Sequence, residues 1–246
     1  MKYAYFDIIG NADSDILIVA DHASNHIPDA FRHLGLEDKW LNDHIAYDIG
    51  TEDVARGLTE ALDARCILAG FSRLLVDPNR PLDHETLIPQ LSDNIFIPGN
   101  ANLDEVARAK RIADFHTPYH EAITQELSLM KARGTTPKII SIHSFTPVMN
   151  GQTRPWQAAV LWNRDDRLAM ATADALDLEG DLTVGRNVPY SGKILNYTMD
   201  RHAEAHGTPY ITLEIRQDLI DNDEGVANWV ARLGDILLPI LTASAQ

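Results

Sequence analysis

The sequence predicts an α/β sandwich with a mixed, mostly parallel sheet, and three observations carry that expectation. Short apolar runs rich in β-branched residues alternate with longer amphipathic segments along the chain, the pattern of strands joined by crossover helices. At 246 residues the chain fits one sizeable domain, 1–246, because single cores stop growing only near ~250 to 300 residues. Its 45% hydrophobic and 23% charged residues suffice for a core, with no internal repeat, low-complexity tract or Gly/Ser/Pro-rich linker to divide it.

Each element has a local reason. Ile16-Leu17-Ile18-Val19-Ala20 is a short buried strand, and 51–62 is an amphipathic helix with Val54, Leu58, Ala61 and Leu62 on one face. Two further strands, 66–68 and 71–76, flank Gly70, and a loop rich in Pro and Asn runs on through Pro98 and Gly99. The pattern over 103–133 is helical, with an interruption at Pro118 and Gly134 as the C-terminal cap. Strands at 138–142 and 158–162, helices at 165–176 and 195–206, a strand at 209–214 and a closing helix at 223–241 complete the reading.

A formal charge of −15 argues against a nucleic-acid partner, whose phosphates are bound through clustered Lys and Arg. It also sets a demand: an anionic small-molecule substrate needs local arginines that reverse the field inside its pocket. Cys66 is the only cysteine, so no intramolecular disulfide forms, and its apolar neighbours place it in a buried strand. The start of the chain runs into Asp7, Asp13 and Asp15 without the basic and apolar regions of a signal peptide, and no run approaches the ~20 apolar residues of a membrane span. The expected compartment is the cytoplasm, with no membrane partner.

The polar clusters fall just past the C-terminal ends of predicted strands, where open α/β sheets place their ligand crevices. Asp21 to His26 follow the first strand, Arg73 and Asp77 to Arg80 close the third, His143 and Ser144 follow 138–142, and Glu214 and Arg216 end 209–214. His22 and His143 offer imidazoles suited to Zn²⁺, and Asn25 an oxygen from the same turn as His22. Glu214 interrupts an apolar strand, so its carboxylate must face a cation, a metal or the pocket, where it would serve as general base. Arg216 points to the same face and either pairs with it or shares its site. Arg73 and Arg80 supply guanidinium groups for a carboxylate or a polarised carbonyl. Tyr190-Ser191-Gly192-Lys193 forms a loop through which Tyr190 or Lys193 could cover a substrate. His116 and His120 stand four apart around Pro118, a spacing that does not make a primary zinc site here, although His120 is expected to line the pocket. His44, His84, His202 and His206 read as surface or structural residues. No Gly-x-Ser-x-Gly elbow and no phosphate-binding glycine loop is present, which leaves metal-assisted hydrolysis.

Asp21-His22-Ala23-Ser24-Asn25-His26-Ile27-Pro28, Phe71-Ser72-Arg73, Val76-Asp77-Pro78-Asn79-Arg80, Pro118-Tyr119-His120 and Tyr210-Ile211-Thr212-Leu213-Glu214-Ile215-Arg216 together resemble the N-formylglutamate amidohydrolase family, over most of the chain. The Asp-Pro-Asn-Arg and Leu-Glu-Ile-Arg segments are similar, more distantly, to zinc carboxypeptidases and aspartoacylase-like deacylases, which implies a zinc-carboxypeptidase-like three-layer sandwich. The resemblance implies that His22 and His143 bind zinc, Arg73 polarises the scissile carbonyl, Asn79 and Arg80 bind a substrate carboxylate, and Glu214 is the base. The implied reaction is zinc-dependent cleavage of an N-acyl amino acid, with N-formyl-L-glutamate giving formate and glutamate in histidine breakdown. One departure stands out: Asn25 occupies the position where the carboxypeptidase pattern has Glu. A neutral amide is a weak zinc ligand, so a nearby acid is expected to substitute, with Asp48 the first candidate and Asp21 the second. A related deacylase and a noncatalytic α/β ligand-binding protein are the alternative readings.

Overall fold

The computed structural model describes residues 5–243, built around a seven-stranded sheet. In chain order the elements are β1 (Phe6–Gly10), β2 (Ile16–Ala20), α1 (Asp38–Leu41), α2 (Thr51–Ala61), β3 (Arg65–Ala69), the short strands β4 (Leu91–Ser92) and β5 (Ile95–Phe96), α3 (Glu105–Arg111) and α4 (Thr117–Ala132). The second half adds β6 (Lys138–Phe145), the hairpin strands β7 (Val148–Met149) and β8 (Gln152–Thr153), β9 (Ala158–Leu161), α5 (Arg167–Leu178), β10 (Val184–Arg186), α6 (Tyr197–His202), β11 (Tyr210–Arg216) and α7 (Asp223–Ala243).

The sheet order is β1-β3-β2-β6-β11-β9-β10. β3, β2, β6 and β11 run parallel, as do β9 and β10, whereas β1–β3 and β11–β9 pair antiparallel. Every residue of β2 and β6 is buried, and β2 is apolar throughout, because both faces of the sheet are covered. On one face Ile18, Ile140, Ile142, Ile211 and Leu213 join Val54 and Leu58 of α2, Leu168 and Ala173 of α5, and Leu233 and Leu237 of α7 in one core. On the other, Leu17, Val19, Ile139 and Tyr210 meet Tyr119, Ile123 and Met130 of α4 together with Phe71, Leu74 and Leu75. Each large side chain removed from water contributes roughly 1.5–3 kcal/mol, so the two cores fix which ends of the strands stay open.

Several elements depart from the sequence reading. Residues 71–76 form no strand: Leu75 N–H donates to Ser72 O in a turn, while Asn100 Nδ2 donates to Leu74 O and Arg111 Nη1 to Leu75 O. Buried side chains thus satisfy the backbone that a neighbouring strand would otherwise have paired. β1 and β10 are short edge strands that the apolar runs did not single out. The interruption expected at Pro118 takes the form of a π-helical turn over Ile112–His116, directly before α4. Pro118 then sits in the first turn of α4, where its missing N–H has no helical partner to lose. Gly134 follows α4 with φ of +80°, a left-handed conformation suited to a cap without a Cβ. The helix expected over 195–206 is the shorter α6 followed by a single turn at Glu204–His206. α7, with 21 residues, is long and apolar enough by composition to cross a membrane, contrary to the absence of such a run expected above; it packs on α2 and α5 and buries Trp229, Leu233, Ile236, Leu237 and Leu241.

Candidate active site

β2 ends at Ala20, so Asp21 and His22 leave the sheet at the C-terminal end of a central strand, both buried. β6 is longer than the apolar pattern suggests, and His143 lies inside it rather than beyond its end. The register sets His143 opposite Glu214 of the parallel neighbour β11, and directly opposed residues of a pleated sheet share a face. The loop before α2 returns Asp48 to the same place: Asp48 N–H donates to His22 O at 3.0 Å. Gly50, at φ of +77°, turns the chain there, and a Cβ on it would meet Ile220 O.

His22, Asp48 and His143 are all buried and offer ligand atoms within 4.8 Å of one another. Asp48 Oδ2 lies 3.3 Å from His22 Nδ1 and 2.8 Å from His143 Nδ1. Two atoms bound tetrahedrally to one zinc at its usual bond lengths stand about 3.3 Å apart, so this spacing suits a single ion. The far nitrogens are also engaged. His22 Nε2 donates to Asp77 Oδ1 at 2.7 Å, and His143 Nε2 is 3.5 Å from Asp21 Oδ2, an ion pair longer than an aligned hydrogen bond. Carboxylates behind both rings direct both Nδ1 atoms to the shared centre, the arrangement that fixes metal-binding imidazoles. The buried Tyr119 hydroxyl in turn donates to Asp21 Oδ1 at 2.9 Å.

The electrostatics follow from burial and these contacts. Burial alone would raise the carboxyls of Asp48, Asp77 and Asp21, but His22 and His143 hold Asp48 far down, Arg73 and His22 hold Asp77 well below its ordinary range, and His143 lowers Asp21. Burial would lower His143, yet Asp21 and Asp48 raise it well above the ordinary imidazole value. Glu214 moves the other way: burial, reinforced by Asp48, pushes it up to about 7 against the pull of His143. Its Oε2 is buried without a hydrogen-bond partner, as befits a group turned toward the site.

His22, Asp48, His143 and Glu214 border a cleft of about 240 Å³ that also takes in Arg73, Asn79, Arg80 and Tyr190. Arg73 reaches Asp77 Oδ2 at 2.8 Å and Asp48 Oδ1 at 3.4 Å, so its charge is largely matched. Arg80 donates through Nε to Thr86 Oγ1 and through Nη1 to Asn79 O, with no carboxylate partner among the described residues. Asn79 Oδ1 accepts from Thr198 N–H at 3.0 Å, which leaves its NH₂ as the group to present. Arg80 and Asn79 together are donors matched to a carboxylate.

Not every expected residue arrives. Asn25 does not join the cluster: its amide donates to Leu41 O at 2.9 Å and to Asn42 Oδ1 at 3.2 Å, and it does not border the cleft. The oxygen beside the two imidazoles belongs to Asp48, and Asp21 lies behind His143 rather than in front. Arg216 is turned away as well, paired with Asp218 at 2.7 Å and donating to Arg154 O and Trp156 O. His120 lies outside the cleft, its Nε2 on Pro78 O at 2.9 Å and its Nδ1 against His202 Nε2 at 2.8 Å. Lys193 is exposed and outside the cleft, whereas His44, read as surface or structural, borders it. Asp77 was not assigned a role in the sequence, although its place four residues after Arg73 is the spacing of a local ion pair. Cys66 is buried in β3 as expected, its thiol pushed up to about 12 by burial.

The structure is similar to a gene product of Agrobacterium tumefaciens at 34% identity and a TM-score of 0.94, covering 98% of this chain and 96% of that one. It is also similar to N-formylglutamate amidohydrolase from Ralstonia eutropha at 19% identity and a TM-score of 0.69, with 97% of each chain covered. A bacteriophage poly-gamma-glutamate hydrolase shares the fold at 10% identity and a TM-score of 0.51, covering 99% of this chain and 91% of that one. No match was found among curated proteins. The model of the N-formylglutamate amidohydrolase family matches residues 14–221, a span that holds the His22, Asp48 and His143 cluster, the Arg73 to Arg80 loop and Glu214, and the chain therefore belongs to that family of amide hydrolases.

Proposed function

We propose that this chain is a zinc-dependent amidohydrolase that cleaves N-formyl-L-glutamate, or a close N-acyl amino acid, to the carboxylic acid and the free amino acid. One observation carries the reading: the Nδ1 atoms of His22 and His143 and an Asp48 oxygen face one another beside the buried, unpartnered Glu214 Oε2. Membership of the family supports the bond type.

His22, Asp48 and His143 would hold Zn²⁺, which as a Lewis acid polarises a carbonyl and acidifies water. Glu214, raised to about 7, is a base matched to neutral pH: it takes the proton of the attacking water and returns it to the leaving amine nitrogen. Arg73 sits where it can meet the negative charge that develops on the carbonyl oxygen, while Asp48 and Asp77 keep its guanidinium in place. Arg80 and the Asn79 NH₂ bind the α-carboxylate and orient the amide toward Glu214.

Glu214→Gln keeps the shape and removes the base, so kcat should fall by at least about 100-fold while bound zinc is unchanged. Hydrolysis of N-formyl, N-acetyl and N-succinyl amino acids with and without chelator identifies the substrate and the metal requirement together. A fully active variant, or activity indifferent to chelator, would sink the reading.

A further inference from the structure

Arg154, just after the β7–β8 hairpin, is only 9% exposed, yet no carboxylate lies within ion-pair distance of it among the described residues. Of the cations buried at least as deeply, Lys138, 2% exposed, pairs with Asp15, whereas Arg111, 4% exposed, is held by Leu75 O, Gly99 O and Asn100 Oδ1, away from the cleft. Arg154 instead donates to Thr146 O at 3.4 Å, to Met149 Sδ at 2.9 Å and to the Tyr190 hydroxyl at 3.0 Å. Its guanidinium lies over the rings of Tyr190 and Phe145, with centroids at 4.9 Å and 5.8 Å. These neutral partners solvate the charge without neutralising it, so it stays available to an anion that enters beside them.

Thr146, Met149, Tyr190 and Phe145 all border the catalytic cleft, so Arg154 stands directly behind one of its walls. The hydrogen bond from Arg154 polarises the Tyr190 hydroxyl, whose O–H donates to the weak acceptor Met149 Sδ at 3.9 Å and can exchange it, as a charge-assisted donor, for an anion in the cleft. Arg80 and Asn79, on a different segment, are already set for one carboxylate. We propose that Tyr190, charged from behind by Arg154, forms a second anion subsite that selects substrates with a side-chain carboxylate, making Arg154 a specificity-determining positioning residue. The inference rests on the hydrolase reading of the same cleft.

The test compares N-formylglutamate with N-formylglutamine, its isostere with an uncharged side chain, in wild type, Arg154→Met, Arg154→Lys and Tyr190→Phe. Wild type should favour the dicarboxylate in kcat/KM. Arg154→Met and Tyr190→Phe should lose that preference by on the order of 30-fold, through a KM that rises more for N-formylglutamate than for N-formylglutamine, as a site built around one polar group discriminates. Arg154→Lys should keep part of the preference. Calorimetric binding of the same two compounds reads the subsite without turnover, so a failure of hydrolysis alone leaves the binding preference to decide. No preference for the dicarboxylate in wild type, or equal losses for both compounds in the variants, overturns the proposal.

Discussion

Asp48 and Asp77 both bring a carboxylate to His22, but to opposite nitrogens, and in the proposed zinc site this difference separates a ligand from its support. Asp77 Oδ1 takes the His22 Nε2–H and the Asn79 N–H, and Asp77 Oδ2 takes Arg73 Nη2, so one side chain sets the tautomer of His22 and the position of a cleft arginine. Asp77→Asn should therefore weaken zinc binding by about 10- to 100-fold without removing a ligand, as read by competition with a chromophoric chelator. Asn25→Ala should leave it within about twofold, the scale of a change away from the site; comparable losses in both would return Asn25 to the centre. That His22, His143, Arg73, Asn79, Arg80 and Glu214 border one cleft was legible from residue type and from polar groups breaking apolar runs, even though 71–76 forms no strand and His143 lies inside β6. Asn25 lies apart from the two imidazoles for a reason spacing does not encode. Its side chain leaves the turn toward Leu41 and Asn42, while Asp48 arrives through a loop whose return rests on a backbone hydrogen bond.

At the scale of elements, α4 and α6 are joined through the loop that carries Asn79 and Arg80. His120 of α4 holds Pro78 O, Thr198 N–H of α6 holds Asn79 Oδ1, and His120 Nδ1 meets His202 Nε2 of α6 at 2.8 Å, which admits one proton between the two rings. Burial keeps both imidazoles neutral: His202 falls to about 4 and His120 well below its ordinary value. With the folded value below the unfolded one near 6.5, the unfolded chain takes up more protons, so the stability from His202 is complete above about 6.5 and drains between 6.5 and 4 as pH falls. Relative to His202→Gln, wild type should lose about 2 kcal/mol more unfolding free energy between pH 7.5 and 5, measured in urea. Taking the difference removes the opposite contribution of His143, whose raised value favours the folded state at the lower pH. Parallel pH profiles for the two proteins would show that His202 does not titrate across this window. The strands and helices of the two cores could be read from periodicity, whereas the run at 71–76 could not: its residues are as apolar as a strand, but Asn100 and Arg111, 26 and 36 positions beyond their partners, satisfy its carbonyls.

The whole molecule carries −15, and the cleft must accept an anion in spite of it. Inside the cleft Asp48, Asp77 and Glu214 offset Arg73 and Arg80, Arg154 acts from behind a wall, and the positive charge that a bound Zn²⁺ would add is confined to its immediate surroundings. Approach is therefore governed by the distant field, which repels a dicarboxylate until it reaches the donors of Arg80 and Asn79. Salt shortens that field from about 30 Å at 0.01 M to about 8 Å at 0.15 M while leaving contacts inside the cleft comparatively unscreened. In the range where capture limits the rate, kcat/KM for N-formylglutamate should rise by about two- to fivefold over that interval, and more steeply than for singly charged N-formylglutamine. Because charge on the substrate is the only difference between the two probes, a steeper rise for the dianion assigns the effect to repulsion by the chain as a whole. A fall with added salt would instead show that the cleft arginines extend their attraction beyond its mouth and already reverse the field outside it.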